Sequence, residues 1–355
     1  MEVLYNKALE FFGFLSTYIE NKIEKEQDEN NIPPNPRLQE IFDEVDREIS
    51  PFLKHDIELF FNKMFLILWI LFYIIRKYEI ETDEMLFETY NGLSEEEFCK
   101  IILGHLHIED TPVEKVTQKD ISEGIMANFF HPARGQAKMI YQLLNDPGEW
   151  RKRIVETLET FHDQHYLQYR DELLAKGEAQ AAVFEKQLRA DTVHVLDTVT
   201  LGHYKELLNH SEDVKVYLSY TYDRSFILSI KQDVILLGMT RENLLTSANR
   251  RLQTNLLFSA LSDRKRIEIL RLLGEREWFS NELAKHFGIT PATMSYHLNK
   301  LLNSGLVSLR LGDQKKAYYR LNRENLINFL ECARADLIGD VECSAQPIAS
   351  EPASE

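Results

Sequence analysis

The composition of this chain is that of a folded protein large enough for two domains. Its 355 residues are 44% hydrophobic, and 41 Lys and Arg against 57 Asp and Glu leave a formal net charge of −16. The three cysteines, Cys99, Cys332 and Cys343, lie far apart with no Cys-x-x-Cys pair, which argues against a disulfide framework and a local cysteine-rich zinc site. The N-terminal segment carries acids where a secretory signal requires basic residues, so we expect a cytoplasmic protein.

The N-terminal region is predicted to be mainly helical. Charged, Asn and Pro residues in 24–37 interrupt regular structure, and apolar residues then recur at spacings of three and four along 38–49 and through 150–187. Between them, Met64–Ile75 is a run of twelve apolar residues. A bilayer span needs roughly 18–20 such residues, so this run predicts a buried core helix in preference to a membrane segment.

Residues 214–239 change to a pattern that is typical of strands. The segment is rich in β-branched and aromatic residues and contains two polar turns, so we predict a short region of two or three antiparallel strands. Its aromatic side chains either belong to a core or line an effector pocket, and the core interpretation is favoured. These residues are Tyr217, Tyr220, Tyr222 and Phe226.

Charge divides the chain into an acidic body and a basic module. Residues 250–340 carry 15 Lys and Arg against 10 Asp and Glu, whereas residues 1–249 have a net charge of −18. We therefore predict one domain over 1–240, with a regulatory, effector-binding or interaction role, and a second domain over 246–338. The tail 341–355 is expected to be disordered, because it has no periodic apolar face.

The basic module contains the elements of a helix-turn-helix. Ser262-Asp263 offers N-cap residues between two helical stretches, and a short helix beginning at Ser280 should end at Gly288. Thr290 then caps a helix that has proline at its first position and closes at Gly305. A helix, a glycine-containing turn and a second helix can place the second helix in the major groove of DNA.

The second helix of this pair has a predicted inner and outer face. Leu298, Leu301 and Leu302 can pack inward, while Thr293, Ser295, Tyr296 and His297 face outward and are candidates for contacts with base edges. A hairpin follows on both sides of Gly312-Asp313, and basic side chains near its tip should meet phosphates or the minor groove. The predicted DNA-contacting residues are Ser280, Thr290, Pro291, Ala292, Thr293, Ser295, Tyr296, His297, Lys300, Arg310, Lys315 and Lys316.

Three motifs in this order, LSDRKRIEILRLL, NELAKHFGITPATMSYHLNKLLNSGLV and AYYRL, resemble winged-helix repressors of the ArsR type. The resemblance covers roughly a quarter of the chain and implies that 246–338 is an ArsR-type winged helix DNA-binding domain. It also implies a homodimer that reads palindromic double-stranded operator DNA, with the first and last helices of the module in the subunit contact. The residues predicted for this contact, which could instead pack only within the subunit, are Leu252, Leu256, Leu257, Leu326, Phe329 and Leu330.

No metal site and no cofactor are predicted. Many members of the family that the chain resembles bind a metal through a cysteine pair at the start of the first helix of the DNA-binding pair, or through acids and histidines on the last helix. Here the corresponding stretch, REWFSNELA, has no cysteine, and the last helix has only Cys332 among soft ligands. Elsewhere, His162 and His165 lie three residues apart on a predicted helix. We interpret them as solvated surface residues in preference to ligands of a divalent metal.

The predicted fold class is mostly α with a small β component. A mainly helical N-terminal domain with a short antiparallel strand region precedes a C-terminal winged helix-turn-helix domain. The predicted function is a sequence-specific DNA-binding transcriptional regulator, a homodimeric repressor controlled through its N-terminal domain by an unknown small-molecule or protein effector.

Two alternatives use the N-terminal domain differently. In the first, the chain is a protein-interaction adaptor that uses the winged helix for DNA localisation; in the second, it is a fused enzyme. The N-terminal region lacks a Gly-x-Gly-x-x-Gly turn, a Walker loop, a His-Glu-x-x-His helix and a Gly-x-Ser-x-Gly elbow, which argues against an enzyme.

Overall fold

The computed structural model describes residues 1–23, 34–63, 66–128, 135–201, 204, 213–223, 226–229, 233–240, 249–311 and 317–339. Within these residues, buried hydrophobic side chains form two separate cores. The larger core joins side chains from 8–239, and the smaller joins side chains from 256–333 together with Leu201. The predicted fold class, mostly α with a small β component, is confirmed. The predicted tail, 341–355, lies outside the described residues.

Helices surround the larger core, and several begin at a side chain that caps them. Asn6, Asn35, Ser50, Thr82 and Ser94 each accept a hydrogen bond from a backbone N–H of the following first turn, which satisfies donors that the helix itself leaves unpaired. The helices are α1 (Lys7–Tyr18), α2 (Pro36–Glu48), α3 (Pro51–Ile57), α4 (Leu66–Lys77), α5 (Asp83–Gly92), α6 (Glu95–Leu106), α7 (Gln118–Asn128), α8 (Gln136–Asn145), α9 (Pro147–Phe161), α10 (Arg170–Ala190) and α11 (Thr192–Val199).

The long apolar run of the sequence forms most of α4. Ile67, Ile70 and Ile74 are at most 1% exposed, so the prediction of a buried core helix is confirmed. Among the described residues, no helix combines the length and the apolar composition that a membrane crossing would require.

A four-stranded sheet in the order β1-β2-β4-β3 adjoins these helices. β3 (Phe226–Ser229) and β4 (Val234–Gly238) pair antiparallel, as predicted. The prediction of antiparallel strands alone was incomplete, because β2 (Lys215–Ser219) runs parallel to β4 and β1 (Glu2–Tyr5) runs parallel to β2. The favoured core interpretation of the aromatic residues is confirmed for the three tyrosines, which are buried: Tyr217, Tyr220 and Tyr222.

A buried carboxylate fixes α1 to the end of β2. Glu10 Oε1 accepts a hydrogen bond from the backbone N–H of Tyr220 (2.8 Å), and Oε2 accepts one from that of Thr221 (2.8 Å). The hydroxyls of Ser219 (3.1 Å) and Thr221 (2.6 Å) also donate to Oε2. Burial raises the pKa of Glu10, although these four hydrogen bonds favour the carboxylate.

His162 and His165 are both buried, and the interpretation of them as solvated surface residues is wrong. His162 Nε2 lies 2.8 Å from Asp83 Oδ2, and Arg170 Nη2 donates to Asp83 Oδ1 at 2.6 Å. Burial opposes protonation of His162, but the carboxylates of Asp83 and Asp163 raise its pKa overall. Across the part of the chain that the structure describes, no three His, Cys, Asp or Glu side chains are grouped so that they could hold a metal ion.

The C-terminal module packs helices and a three-stranded antiparallel sheet around the smaller core. The sheet has the order β5-β7-β6, and the first and last helices of the module pack against each other. The elements are α12 (Asn249–Leu261), α13 (Arg264–Glu275), β5 (Trp278–Phe279), α14 (Ser280–Phe287), α15 (Pro291–Asn303), β6 (Val307–Leu311), β7 (Ala317–Leu321) and α16 (Arg323–Ile338).

Candidate nucleic-acid interface

A buried arginine connects α13 to α12. Asp263 caps α13 by accepting hydrogen bonds from the backbone N–H groups of Lys265 (2.7 Å) and Arg266 (3.3 Å). The Arg266 guanidinium donates to the carbonyl oxygens of Ala260 (2.7 Å) and Ser259 (2.9 Å) in the last turns of α12. A cation at a helix C-terminus satisfies free carbonyls and interacts favourably with the helix dipole. This basic side chain of the LSDRKR motif therefore stabilises the fold.

The turn between α14 and α15 follows the predicted residues. Gly288 ends α14 with a φ of 63°, the left-handed conformation that glycine adopts without steric cost. Thr290 Oγ1 accepts a hydrogen bond from Thr293 N at 3.1 Å, and Pro291 is the first residue of α15. The predicted beginning and end of both helices are confirmed.

α15 has one apolar buried face and one exposed polar face. Thr293 is exposed, Tyr296 is 47% exposed and Ser295 is half-buried, and Lys300 Nζ lies 5.4 Å from the centroid of the Tyr296 ring. Thr290 and Pro291 are exposed at the start of the helix, Ser280 is half-buried on α14, and the side chain of Ala292 lies outside the described residues. The residues of α15 that are 0% exposed are Met294, Leu298 and Leu301.

The prediction that His297 faces outward is wrong. Its side chain is only 6% exposed, because it lies beside the buried row of α15 and faces the start of α13. His297 Nδ1 is 4.0 Å from Asp263 Oδ2 and has no hydrogen-bond partner within the described residues. Burial is the main cause that lowers the pKa of His297, and Arg266 and Lys265 lower it further against the opposing effect of Asp263. In this conformation the imidazole is not available to a base edge.

The buried neutral imidazole predicts a loss of stability in acid. The pKa of His297 is lower in the folded chain than in the unfolded chain, so the unfolded state binds more protons as the pH falls below about 6.5. The contribution of this group is therefore intact above that pH and decreases below it. We expect wild type to lose more unfolding free energy between pH 7.5 and 5.5 than His297→Gln, as measured by urea unfolding of the C-terminal module. Equal losses in both proteins would contradict the assignment.

The arginine near the end of β6 is already paired. Arg310 on β6 donates from Nε to Glu277 Oε1 (3.0 Å) and Oε2 (2.8 Å), and Nη2 donates to Oε2 at 2.6 Å. Its guanidinium carbon lies 5.0 Å from the ring centroid of Tyr318. Arg310 is the fourth of the five residues of β6, which agrees with its predicted position near the tip. Its charge is directed to Glu277, and its predicted contact with phosphates or the minor groove stays a prediction. Lys315 and Lys316, the other two basic residues predicted for the tip, lie outside the described residues.

The DNA-binding module is also the part of the chain that is similar to known proteins. Residues 263–308 match the family model described as "Bacterial regulatory protein, arsR family". Over 75 residues the chain is 35% identical to an arsenical resistance operon repressor from Staphylococcus aureus. The matched segment covers 21% of this chain and 71% of that repressor. The chain belongs to the ArsR family. As a member with this helix-turn-helix, it is a DNA-binding transcriptional regulator.

Two further repressors match the same module. The transcriptional repressor SdpR from Bacillus subtilis (strain 168) is 37% identical over 71 residues, 19% of this chain and 74% of SdpR. A probable mercury resistance operon repressor from Streptomyces lividans is 33% identical over 89 residues, 24% of this chain and 70% of that repressor. No solved structure gives a significant match. The family is one of regulatory proteins, and these matches leave the N-terminal region uncovered.

Most residues predicted for an ArsR-type subunit contact pack inside this subunit. Leu256, Leu257 and Phe329 are at most 3% exposed and belong to the smaller core, because α12 and α16 pack against each other. Leu326 is half-buried, and Leu330 is 50% exposed. For the three buried residues this favours the alternative that they pack within the subunit, and the side chain of Leu252 lies outside the described residues.

A different set of apolar residues is exposed on the same two helices. Phe258 on α12 is 49% exposed, and Ile327 and Leu337 on α16 are 59% and 64% exposed. The sequence reasoning missed these residues, although Ile327, Leu330 and Leu337 recur at helical spacing. The signal that could have indicated them is a second row of apolar residues on the same helix. One row can pack in the core of the subunit, and the other can form a contact with another subunit.

Proposed function

We propose that this chain is a cytoplasmic, homodimeric ArsR-family repressor that binds operator DNA through α14, α15 and the hairpin. The observation that carries the proposal is the two-faced α15. Its apolar row is buried in the smaller core, while Thr293 and Tyr296 are exposed near its N-terminus. In a helix-turn-helix, N-terminal side chains of the second helix contact base edges.

The charge distribution and the two separate cores support different roles for the two parts of the chain. We propose a regulatory domain over 1–240 and a winged helix DNA-binding domain over 246–338. The basic module supplies attraction to phosphates, while the acidic N-terminal region is repelled by them. An effector, either a small molecule or a protein, would act on the N-terminal region by favouring the conformation with lower operator affinity.

The exposed row of α16 supports a homodimer. Leu330, Ile327 and Leu337, with Phe258 of α12, form what we call the α16 face. A single exposed leucine needs no explanation, but a row of large apolar side chains on adjacent helices favours a protein contact. A two-fold axis through this face would relate the two copies of α15 by the symmetry that a palindromic site has.

Replacing Tyr296 by alanine should relax the base preference of the regulator. The exposed ring can contact a base edge, and loss of one specific contact typically costs about 1–3 kcal/mol at the affected base pair. The measurement is selection of bound duplexes from a random pool with wild type and Tyr296→Ala. Lys315→Ala serves as the contrast, since loss of a phosphate contact should weaken all duplexes alike and reduce the salt dependence. Unchanged base preference in Tyr296→Ala would contradict this role.

A further inference from the structure

Leu201 is a residue of the N-terminal region whose side chain lies in the core of the DNA-binding domain. Val199 and Tyr204, its neighbours along the chain, are buried in the larger core, whereas Leu201 is 4% exposed and belongs to the smaller core. One residue separates Val199 from Leu201. The chain therefore joins the two cores at this point.

The backbone at Leu201 adopts a conformation that leucine rarely takes. Its φ is 53°, in the left-handed region where a bulky side chain meets the backbone. Local hydrogen bonds support the turn: Leu201 N donates to Thr198 O at 3.3 Å, and Thr200 Oγ1 donates to Leu196 O at 2.6 Å. Such conformations persist where the surrounding structure fixes them, and they occur preferentially at functional and switching sites.

Two residues of the DNA-binding domain contact Leu201. Asn325, in the first turn of α16, donates from Nδ2 to the Leu201 carbonyl at 2.5 Å and to the Gly305 carbonyl at 3.2 Å. Gly305 follows the end of α15 with a φ of 73°, and a Cβ atom built there would stand 2.5 Å from Leu201 Cβ. Leu201 therefore contacts the end of α15 and the beginning of α16 at once.

We propose that Leu201 couples the N-terminal region to operator binding. Docked against Gly305 and Asn325, it holds α15 at the angle to α16 that operator binding requires, and its withdrawal lowers operator affinity. This inference rests on the proposed function, because α15 contacts the bases and α16 carries the dimer face. The angle between these helices sets the separation of the two copies of α15, which must match about one helical turn of DNA, roughly 34 Å.

The contact at Leu201 also provides a route by which an effector would act. A ligand or partner that shifts the segment around Val199 and Tyr204 would move Leu201 with it, since these residues share one short stretch of chain. The DNA-binding domain would then lose the contact between Leu201 and Gly305 and the hydrogen bond from Asn325. An effector needs no contact with the DNA-binding domain to release the operator by this route.

The test compares two leucine truncations on the same segment of the full-length chain. Leu201→Ala removes the side chain that docks in the smaller core, and Leu196→Ala makes a matched cavity in the larger core, where Leu196 is 0% exposed. The probe is the duplex that full-length wild type selects from a random pool. We expect Leu201→Ala to bind it about tenfold more weakly, within the roughly 5–150-fold range of typical couplings, and Leu196→Ala to stay within about twofold of wild type.

Hydrogen exchange of the DNA-free chain provides a second readout. Leu201→Ala should speed amide exchange at the end of α15 and the start of α16 while α13 and α14 stay protected. If Leu201→Ala unfolds the whole module, Asn325→Ala replaces it, because that change removes the hydrogen bonds to the Leu201 and Gly305 carbonyls and keeps the leucine. Asn325→Ala should then produce the same local exchange and weaker binding.

Three results would overturn the coupling. They are wild-type affinity with wild-type exchange in Leu201→Ala, equal effects of Leu201→Ala and Leu196→Ala, or, where the first variant unfolds, wild-type behaviour of Asn325→Ala. Failure of the proposed function has a different signature, since wild type itself would then select no duplex. In that event the exchange experiment alone decides whether Leu201 couples the two parts of the chain.

Discussion

Replacing Leu330 by glutamate should convert the proposed dimer into a monomer and weaken operator binding by about 100-fold, equivalent to about 2.8 kcal/mol. Leu330 is 50% exposed in the single chain and lies on the α16 face with Ile327 and Leu337. Two-fold symmetry would bring the introduced charge and its copy into one apolar contact, and an unpaired buried charge is strongly destabilising. Analytical ultracentrifugation gives the mass, and fluorescence anisotropy with the selected duplex gives the affinity.

The matched control for this experiment is the same substitution at another exposed leucine. Leu167, which follows the π-helical turn after α9, is 47% exposed. Leu167→Glu should remain a dimer with wild-type affinity. A monomeric wild type, or a dimer that survives Leu330→Glu, would show that the α16 face is not the subunit contact.

Replacing Glu10 by alanine should destabilise the N-terminal region by about 3–5 kcal/mol. The change leaves the buried N–H groups of Tyr220 and Thr221 without their acceptor. Each unsatisfied buried donor costs about 1–3 kcal/mol. The effect should appear in urea unfolding followed by circular dichroism, as an earlier transition of the larger helical part.

Glu10→Gln is the matched control for the missing acceptor. The amide keeps the size of the side chain and one acceptor oxygen, so it should lose about half as much unfolding free energy as the alanine variant. A Glu10→Ala variant as stable as wild type would mean that the turn after β2 finds other acceptors, and that the buried carboxylate does not hold α1 to the sheet.

The parts of the structure that the sequence predicted well are those determined by neighbours in the chain. The caps at Asp263 and Thr290 and the glycine at Gly288 act within three or four residues, so the pattern indicated both helices of the DNA-binding pair. The apolar run of α4 was also predicted correctly, because its length alone distinguishes a buried core helix from a membrane span.

The errors concern residues whose partners are distant in sequence. The strand β1 pairs with β2 across more than 200 residues, and no local signal indicates such a parallel pair. Asp83 is 79 residues from His162, so the histidine pair resembled a solvated one. The pairing of Arg310 was not indicated either, because Glu277 lies 33 residues before it.

The burial of His297 has a geometric reason. On an α-helix, residues three and four apart share a face, and His297 lies three residues after Met294 and four before Leu301, both of which are completely buried. Its polar character suggested an outer position, but its place in the helical repeat put it beside the core. Periodicity was the better guide than residue type at this position.

The measurement that tests the central claim most directly is selection of duplexes by the full-length protein from a random pool, followed by a salt titration of the winning sequence. A homodimeric regulator predicts a palindromic winner with half-sites about one helical turn, 10–10.5 base pairs, apart. Its affinity should fall steeply with salt, because phosphate contacts release counterions. If no sequence is enriched, or if the winner has a single half-site and the protein binds it as a monomer, the account of a dimeric operator-binding repressor is contradicted.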